Sequence, residues 1–158
     1  MVRTAWLDRG IDNFPTATDR DSYLYYHEYG LDDGSTTPSS AIEAHIESSQ
    51  LAIGDGHQYV FLSRLIPDIT FDGSTSNDPS VTFTLKTRNF PGGAYLQSDA
   101  NAVTQSAKET SSVVEQFTSD VDLRLRGRSF ALKVSNSDTE NQWRLGTPRV
   151  ELRPDGRR

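Results

Sequence analysis

Apolar side chains that alternate with polar ones at a period of two constrain this chain most. Val121, Leu123 and Leu125 alternate with Asp122, Arg124 and Arg126; Phe130, Leu132 and Val134 repeat the pattern; so do Val81, Phe83 and Leu85 against Thr82, Thr84 and Lys86. A strand sends successive side chains to opposite faces, so each run gives one apolar and one polar face, whereas a helix needs a period of 3.6. The chain must therefore bury strands on one side.

Further strands are expected where short β-prone runs lie between turn signals. They are Thr4–Asp8, Ser22–Tyr29, Ile42–Glu47, Gln50–Ile53, Tyr59–Ile66, Ile69–Phe71, Glu115–Phe117, Trp143–Leu145 and Val150–Leu152, with weaker ones at Tyr95–Gln97 and Val103–Gln105. Tyr59–Ile66 is the most apolar run and is expected to be central and covered on both faces. Asp32-Asp33-Gly34, Gly54-Asp55-Gly56 and Phe90-Pro91-Gly92-Gly93 supply turns, and the polar stretch 72–79 reads as a solvated connection, mobile or bound by a neighbour. Together these imply an all-β fold with little helix: a two-sheet antiparallel β-sandwich, jelly-roll-like, forming a single domain over residues 1–158. With no cysteine among 158 residues, stability rests on packing and backbone pairing, and no thiolate metal site can form.

Charge is segregated. Residues 121–158 hold nine Lys or Arg against five Asp or Glu, whereas residues 1–120 hold seven against seventeen, within a formal net charge of -6. That balance argues against a general nucleic-acid binder. No run approaches the ~20 apolar residues of a membrane-crossing helix, so no membrane insertion is expected.

The search for chemistry ends in plain structural roles. His27, His45 and His57 lack a ligand spacing, and His27-Glu28, adjacent on a strand, would face opposite ways. Asp32-Asp33-Gly34 and Asp72-Gly73 with Asn77 and Asp78 miss the calcium-loop spacing and read as turns. Asp19 with Asp21, or Asp68 with Asp72, would be the carboxylate pairs of a hydrolase, but acids this close in a loop are commonplace. No nucleophile elbow or phosphate-binding glycine loop occurs. The expectation is therefore no catalytic residue, no metal and no cofactor.

Two surfaces merit a binding role. Trp6, Tyr23, Tyr25 and Tyr26 could form a platform on which sugar rings stack, giving a carbohydrate-binding β-sandwich for host-surface attachment; packing of these rings is the plainer alternative. Arg124, Arg126 and Arg128 are spaced to share one face of a strand, with Gly127 permitting close backbone approach, and their partners would be carboxylates of this chain or of a neighbouring subunit.

Several segments, taken in order, carry a resemblance. They are Arg3-Thr4-Ala5-Trp6-Leu7-Asp8-Arg9-Gly10, Tyr26-His27-Glu28-Tyr29-Gly30, Ile53-Gly54-Asp55-Gly56, Arg64-Leu65-Ile66-Pro67-Asp68, Leu125-Arg126-Gly127-Arg128, Trp143-Arg144-Leu145-Gly146-Thr147-Pro148-Arg149 and the terminal Arg153-Pro154-Asp155-Gly156-Arg157-Arg158. Together they resemble the carboxy-terminal portion of virion structural proteins of tailed bacteriophages, the packaged-DNA stabilisation or tail nozzle proteins of short-tailed phages. The resemblance implies a non-enzymatic neck or tail component, made in the host cytoplasm and built into the virion. It implies a homo-oligomeric ring, hexameric in the family, that contacts the portal or adaptor and other tail proteins and meets genome DNA only by enclosing it. Arg124, Arg126, Arg128, Trp143, Arg144, Arg149, Arg157 and Arg158 would then serve intersubunit contact or core locking. Family members are longer, so the chain would be the C-terminal domain of a longer protein or a stand-alone relative.

Overall fold

The computed structural model describes residues 3–90 and 109–157. Among these residues the chain is all-β, with no helix and with every strand pairing antiparallel. It divides into two compact units, Met1–Leu31 and Asp32–Arg158.

The first unit is a three-stranded sheet of β1 (Arg3–Leu7), β2 (Thr16–Asp19) and β3 (Leu24–Tyr26), in that order. The long aromatic strand expected over 22–29 is only three residues, because Ser22 and Glu28 on either side take positive φ angles of 65° and 57° that end the extended backbone. The strand β2 forms where no strand is expected, because its Thr-Ala-Thr-Asp sequence carries a single apolar residue, Ala17, which is buried.

The second unit holds β4 (Ala44–Glu47), β5 (Leu51–Ala52), β6 (Val60–Ile66), β7 (Ile69–Thr70), β8 (Ser80–Arg88), β9 (Glu109–Glu115), β10 (Val121–Gly127), β11 (Ser129–Asn136), β12 (Arg144–Leu145) and β13 (Arg149–Pro154). One sheet runs β10-β6-β13; a larger one runs β4-β11-β8-β9, with β5 also on β11; β7 and β12 pair by themselves. The expected strands at 95–97 and 103–105, and the Pro91-Gly92-Gly93 turn, lie outside the described residues.

Alternation decides which side each strand buries. Val121, Leu123 and Leu125 of β10 point inward with Val60, Leu62 and Leu65 of β6, and meet Val81, Phe83 and Leu85 of β8, Val114 of β9 and Phe130 and Val134 of β11 in one core. Both large sheets thus feed a single apolar interior, as a sandwich requires. Each such Leu, Val or Phe removed from water stabilises the fold by ~1.5–3 kcal/mol before entropy is counted.

Two expectations are corrected. The strand β6 is central but covered on one face only: Arg64 and Ile66 on its other side are exposed, because the apolar run is interrupted by Ser63-Arg64. Ile42 and Ile46, which the alternation with Glu43 and Glu47 puts on one apolar face, are 53% and 52% exposed, since β4 lies at the outer end of its sheet order. The 72–79 connection is bound within the chain. Thr75 and Ser76 donate their backbone N–H to Glu140 O at 3.0 and 3.1 Å, and Ser74 Oγ donates to Gln142 O at 2.8 Å.

Candidate protein interface

Sheet register assembles the arginine-rich surface. On the outer face of the three-stranded sheet, Arg126 of β10 lies opposite Phe61 of β6, which lies opposite Arg153 of β13. One pairing further along, Asp122, Arg64 and Glu151 form a second row, separated from the first by irregularities in both pairings. Arg64 is neutralised within the chain: its Nε donates to Glu151 Oε2 at 3.1 Å, and Asp120 stands at 3.9 Å. Arg124, on the same exposed side of β10 as Arg126, makes no hydrogen bond or ion pair among the described residues.

Arg126 and Arg128 do a different job. Both guanidinium groups lie over the Tyr59 ring, their Cζ atoms 4.2 and 4.9 Å from its centre, and Arg153 lies 4.6 Å over Phe61. Arg126 pairs with the Asp155 carboxylate and donates from Nη2 to Asp155 O at 3.0 Å. Arg128 donates to His57 O and Arg157 O, each at 3.3 Å. Two backbone bonds of 2.8 Å, Tyr59 N–H to Gly156 O and Asp155 N–H to Tyr59 O, complete the contact. The arginines thus clasp the 155–157 segment against the start of β6.

The three-arginine ladder is corrected accordingly. Arg124 and Arg126 share β10, but Arg128 lies between β10 and β11, where the chain leaves one sheet for the other, and its N–H donates to Arg88 O at 2.7 Å. Gly127 makes that crossing possible. A Cβ there would stand 2.7 Å from Thr87 Cβ and 2.9 Å from Arg88 O, closer than packed atoms approach.

The remaining basic and aromatic positions are dispersed. Trp143 packs against the core, Arg144 sits exposed on the short β12 opposite Thr70, and Arg149 begins β13 opposite Ile66. Arg157 offers its carbonyl to the clasp, and Arg158 lies outside the described residues. Tyr59, Phe61, Arg153 and Asp155 were not expected at this surface. For the two rings the sequence signal is the alternation Tyr59-Val60-Phe61-Leu62, which puts both on one face, against the expectation of a strand covered on both sides.

The aromatic platform does not assemble as one surface. Trp6, Ala17 and Tyr25 lie opposite one another across the first sheet, whereas Tyr26 pairs in the neighbouring row with Thr16 and Leu7 and so faces the other way. The polar edges that would bind sugar hydroxyls are already engaged. Trp6 Nε1 donates to Asp8, Tyr25 OH to Asp19 Oδ2 at 3.1 Å, and Tyr26 OH to Asp12 Oδ2 at 3.0 Å. Tyr23 is exposed beside Tyr25, with ring centres 6.3 Å apart.

These contacts shift titrations. Desolvation works to raise the Asp19 carboxyl, but hydrogen bonds from Tyr23 N–H, Tyr25 OH and Asp21 N–H, with Arg3 nearby, hold it below its usual 3.8. Desolvation and then the bond to Asp19 push the Tyr25 hydroxyl above 10.0, and the bond to Asp12 does the same for Tyr26.

Acids of the candidate catalytic pairs and calcium-like turns have structural work. Asp19 caps its own turn, accepting from Asp21 N–H at 2.9 Å and Tyr23 N–H at 3.1 Å. Asp68 Oδ2 accepts Thr147 N–H at 2.7 Å while its backbone carbonyl accepts Gly146 N–H at 2.8 Å. Asp32 Oδ1 accepts Glu140 N–H at 2.6 Å, and Asp33 Oδ1 accepts Ser35 N–H at 2.9 Å. His27 follows β3, His45 lies on β4 and His57 precedes β6, each on a different segment.

No protein-family model matches this chain, and no curated protein sequence is significantly similar to it. The arginine face presents guanidinium groups held on aromatic rings, with Arg124 beside them making no hydrogen bond or ion pair among the described residues.

Proposed function

We propose that the chain is a non-enzymatic structural component of a bacteriophage virion, of the tail or neck nozzle or DNA-stabilisation type, and that it works as a homo-oligomeric ring. The virion part of this reading rests on the ordered sequence resemblance; what supports self-association is Arg124, exposed on the outer face of β10 and without a partner among the described residues, beside a clasp that fixes its neighbours. A guanidinium presents its donors in a planar fork that matches a carboxylate, so less side-chain entropy is lost per hydrogen bond formed. The acidic excess of residues 1–120 offers such carboxylates on a neighbouring copy. Arg124 of one copy meeting a carboxylate elsewhere on the next is a heterologous contact, and a heterologous contact that closes makes a ring. That ring would contact the portal or adaptor and other tail proteins, and would enclose the genome without reading it.

Charge reversal tests this. Arg124→Glu is expected to leave the melting temperature within a few degrees, since a surface change away from packed features costs less than ~0.5 kcal/mol, and to weaken self-association at least tenfold, roughly the coupling of a close interfacial pair. Unchanged association would remove Arg124 from the interface. Arg126→Glu is the poorer probe, because it also breaks the clasp on Asp155.

A further inference from the structure

The larger sheet carries a second surface, independent of the arginine face. A groove of about 400 Å³ runs across β4, β11, β8 and β9, lined by Glu43, His45, Ser80, Thr82, Lys133 and Asp138 among others. Its floor is one cross-strand row. His45 lies opposite Ser135, Ser135 opposite Thr82, and Thr82 opposite Val113. Directly opposed side chains stand ~4.5–5.5 Å apart, so the row presents evenly spaced groups across four strands.

One wall is fixed in place. Asp138 Oδ2 accepts from Ser80 Oγ at 3.2 Å and Asn136 Nδ2 at 3.4 Å, Asn136 Nδ2 also donates to Ser80 O at 2.9 Å, and Asp138 N–H donates to Asn136 Oδ1 at 3.3 Å. The carboxylate is thereby oriented, and its Oδ1 accepts nothing among the described residues. The side chains of Glu43, His45 and Lys133 likewise make no hydrogen bond or ion pair among the described residues.

The chemistry selects a ligand class. Glu43 and Asp138 only accept, Lys133 only donates, and the Ser80, Thr82 and Ser135 hydroxyls do both. Two carboxylates disfavour a phosphate or other multiply charged anion, and a floor of hydroxyls disfavours an apolar ligand. A chain of vicinal hydroxyls matches all three kinds of group at once. Val113, 57% exposed at the end of the row, offers an apolar patch to a sugar C–H face. We propose that this groove binds a neutral oligosaccharide.

The test is amide and methyl NMR of the whole chain titrated with maltotriose, cellotriose and chitotriose, with affinities from calorimetry. At least one probe is expected to shift Thr82, Val113, Ser135 and Asp138. Thr82→Val, which keeps the side-chain shape and the strand preference, and Asp138→Ala should each weaken that probe about tenfold with the fold retained. If Asp138→Ala fails to fold, Thr82→Val decides alone. The proposal is overturned if no probe shifts these residues at millimolar concentration, or if binding survives Thr82→Val. It is equally overturned if the same residues shift on raising protein concentration without sugar, which would give the groove to a second copy. Absence of sugar binding leaves the arginine face untouched, and Arg124→Glu separates association through the groove from the ring contact.

Discussion

Gly127 is the position where a single methyl group would be felt most. Its Cβ would press on Thr87 and on the backbone of Arg88, neither of which can rotate away, so Gly127→Ala is expected to destabilise by ~1–3 kcal/mol as overpacking does. Gly54 offers a control: open space surrounds it, and only its φ of 58° opposes a side chain, at a cost of about 1 kcal/mol. Chemical denaturation of both variants checks the order; equal losses would mean that the contact with Thr87 is not tight. Asp68 belongs to the same scale. Asp68→Ala removes the acceptor for Thr147 N–H and should cost ~1–2 kcal/mol, read as a lower denaturation midpoint. The sequence made Gly127 legible as a point of close approach, but Asp68 looked like a candidate acid because its partner lies 79 positions away.

Elements with a strict alternation were legible, and elements ended by backbone conformation were not. The strand β10 follows its Val-Asp-Leu-Arg-Leu-Arg pattern residue by residue, buried and exposed in turn. By contrast β3 is cut short by positive φ angles at Ser22 and Glu28, which no composition reveals, and β2 has too few apolar residues to register. Register between strands is also invisible in one sequence, which is why Tyr26 was grouped with Trp6 and Tyr25. The first sheet makes a pH prediction. Because the folded Asp19 carboxyl sits below its ordinary value, its contribution is fully present above about 3.8 and is lost as pH falls through the folded value. Tyr25 and Tyr26, raised above 10.0, contribute below that pH and lose their contribution as pH climbs through the folded values. An NMR titration should place the Asp19 carboxyl midpoint below 3.8; a midpoint above it would mean that the turn hydrogen bonds do not hold in solution.

At the scale of the whole molecule, segregated charge acquires a geometry. Arg126 and Arg128, seated on Tyr59, draw Asp155 and Arg157 back against β6, so the 155–157 segment helps build the outer face of the β10-β6-β13 sheet. Arg124 stands on that face with no partner of its own among the described residues. An interface of this kind depends on salt, because exposed charges are screened within ~10 Å at 0.1 M ionic strength. Sedimentation equilibrium of the whole chain, at high protein concentration and in low and high salt, tests the account most directly. A closed oligomer of ring size in low salt that dissociates as salt rises is the predicted result. A chain that stays monomeric in both would contradict it.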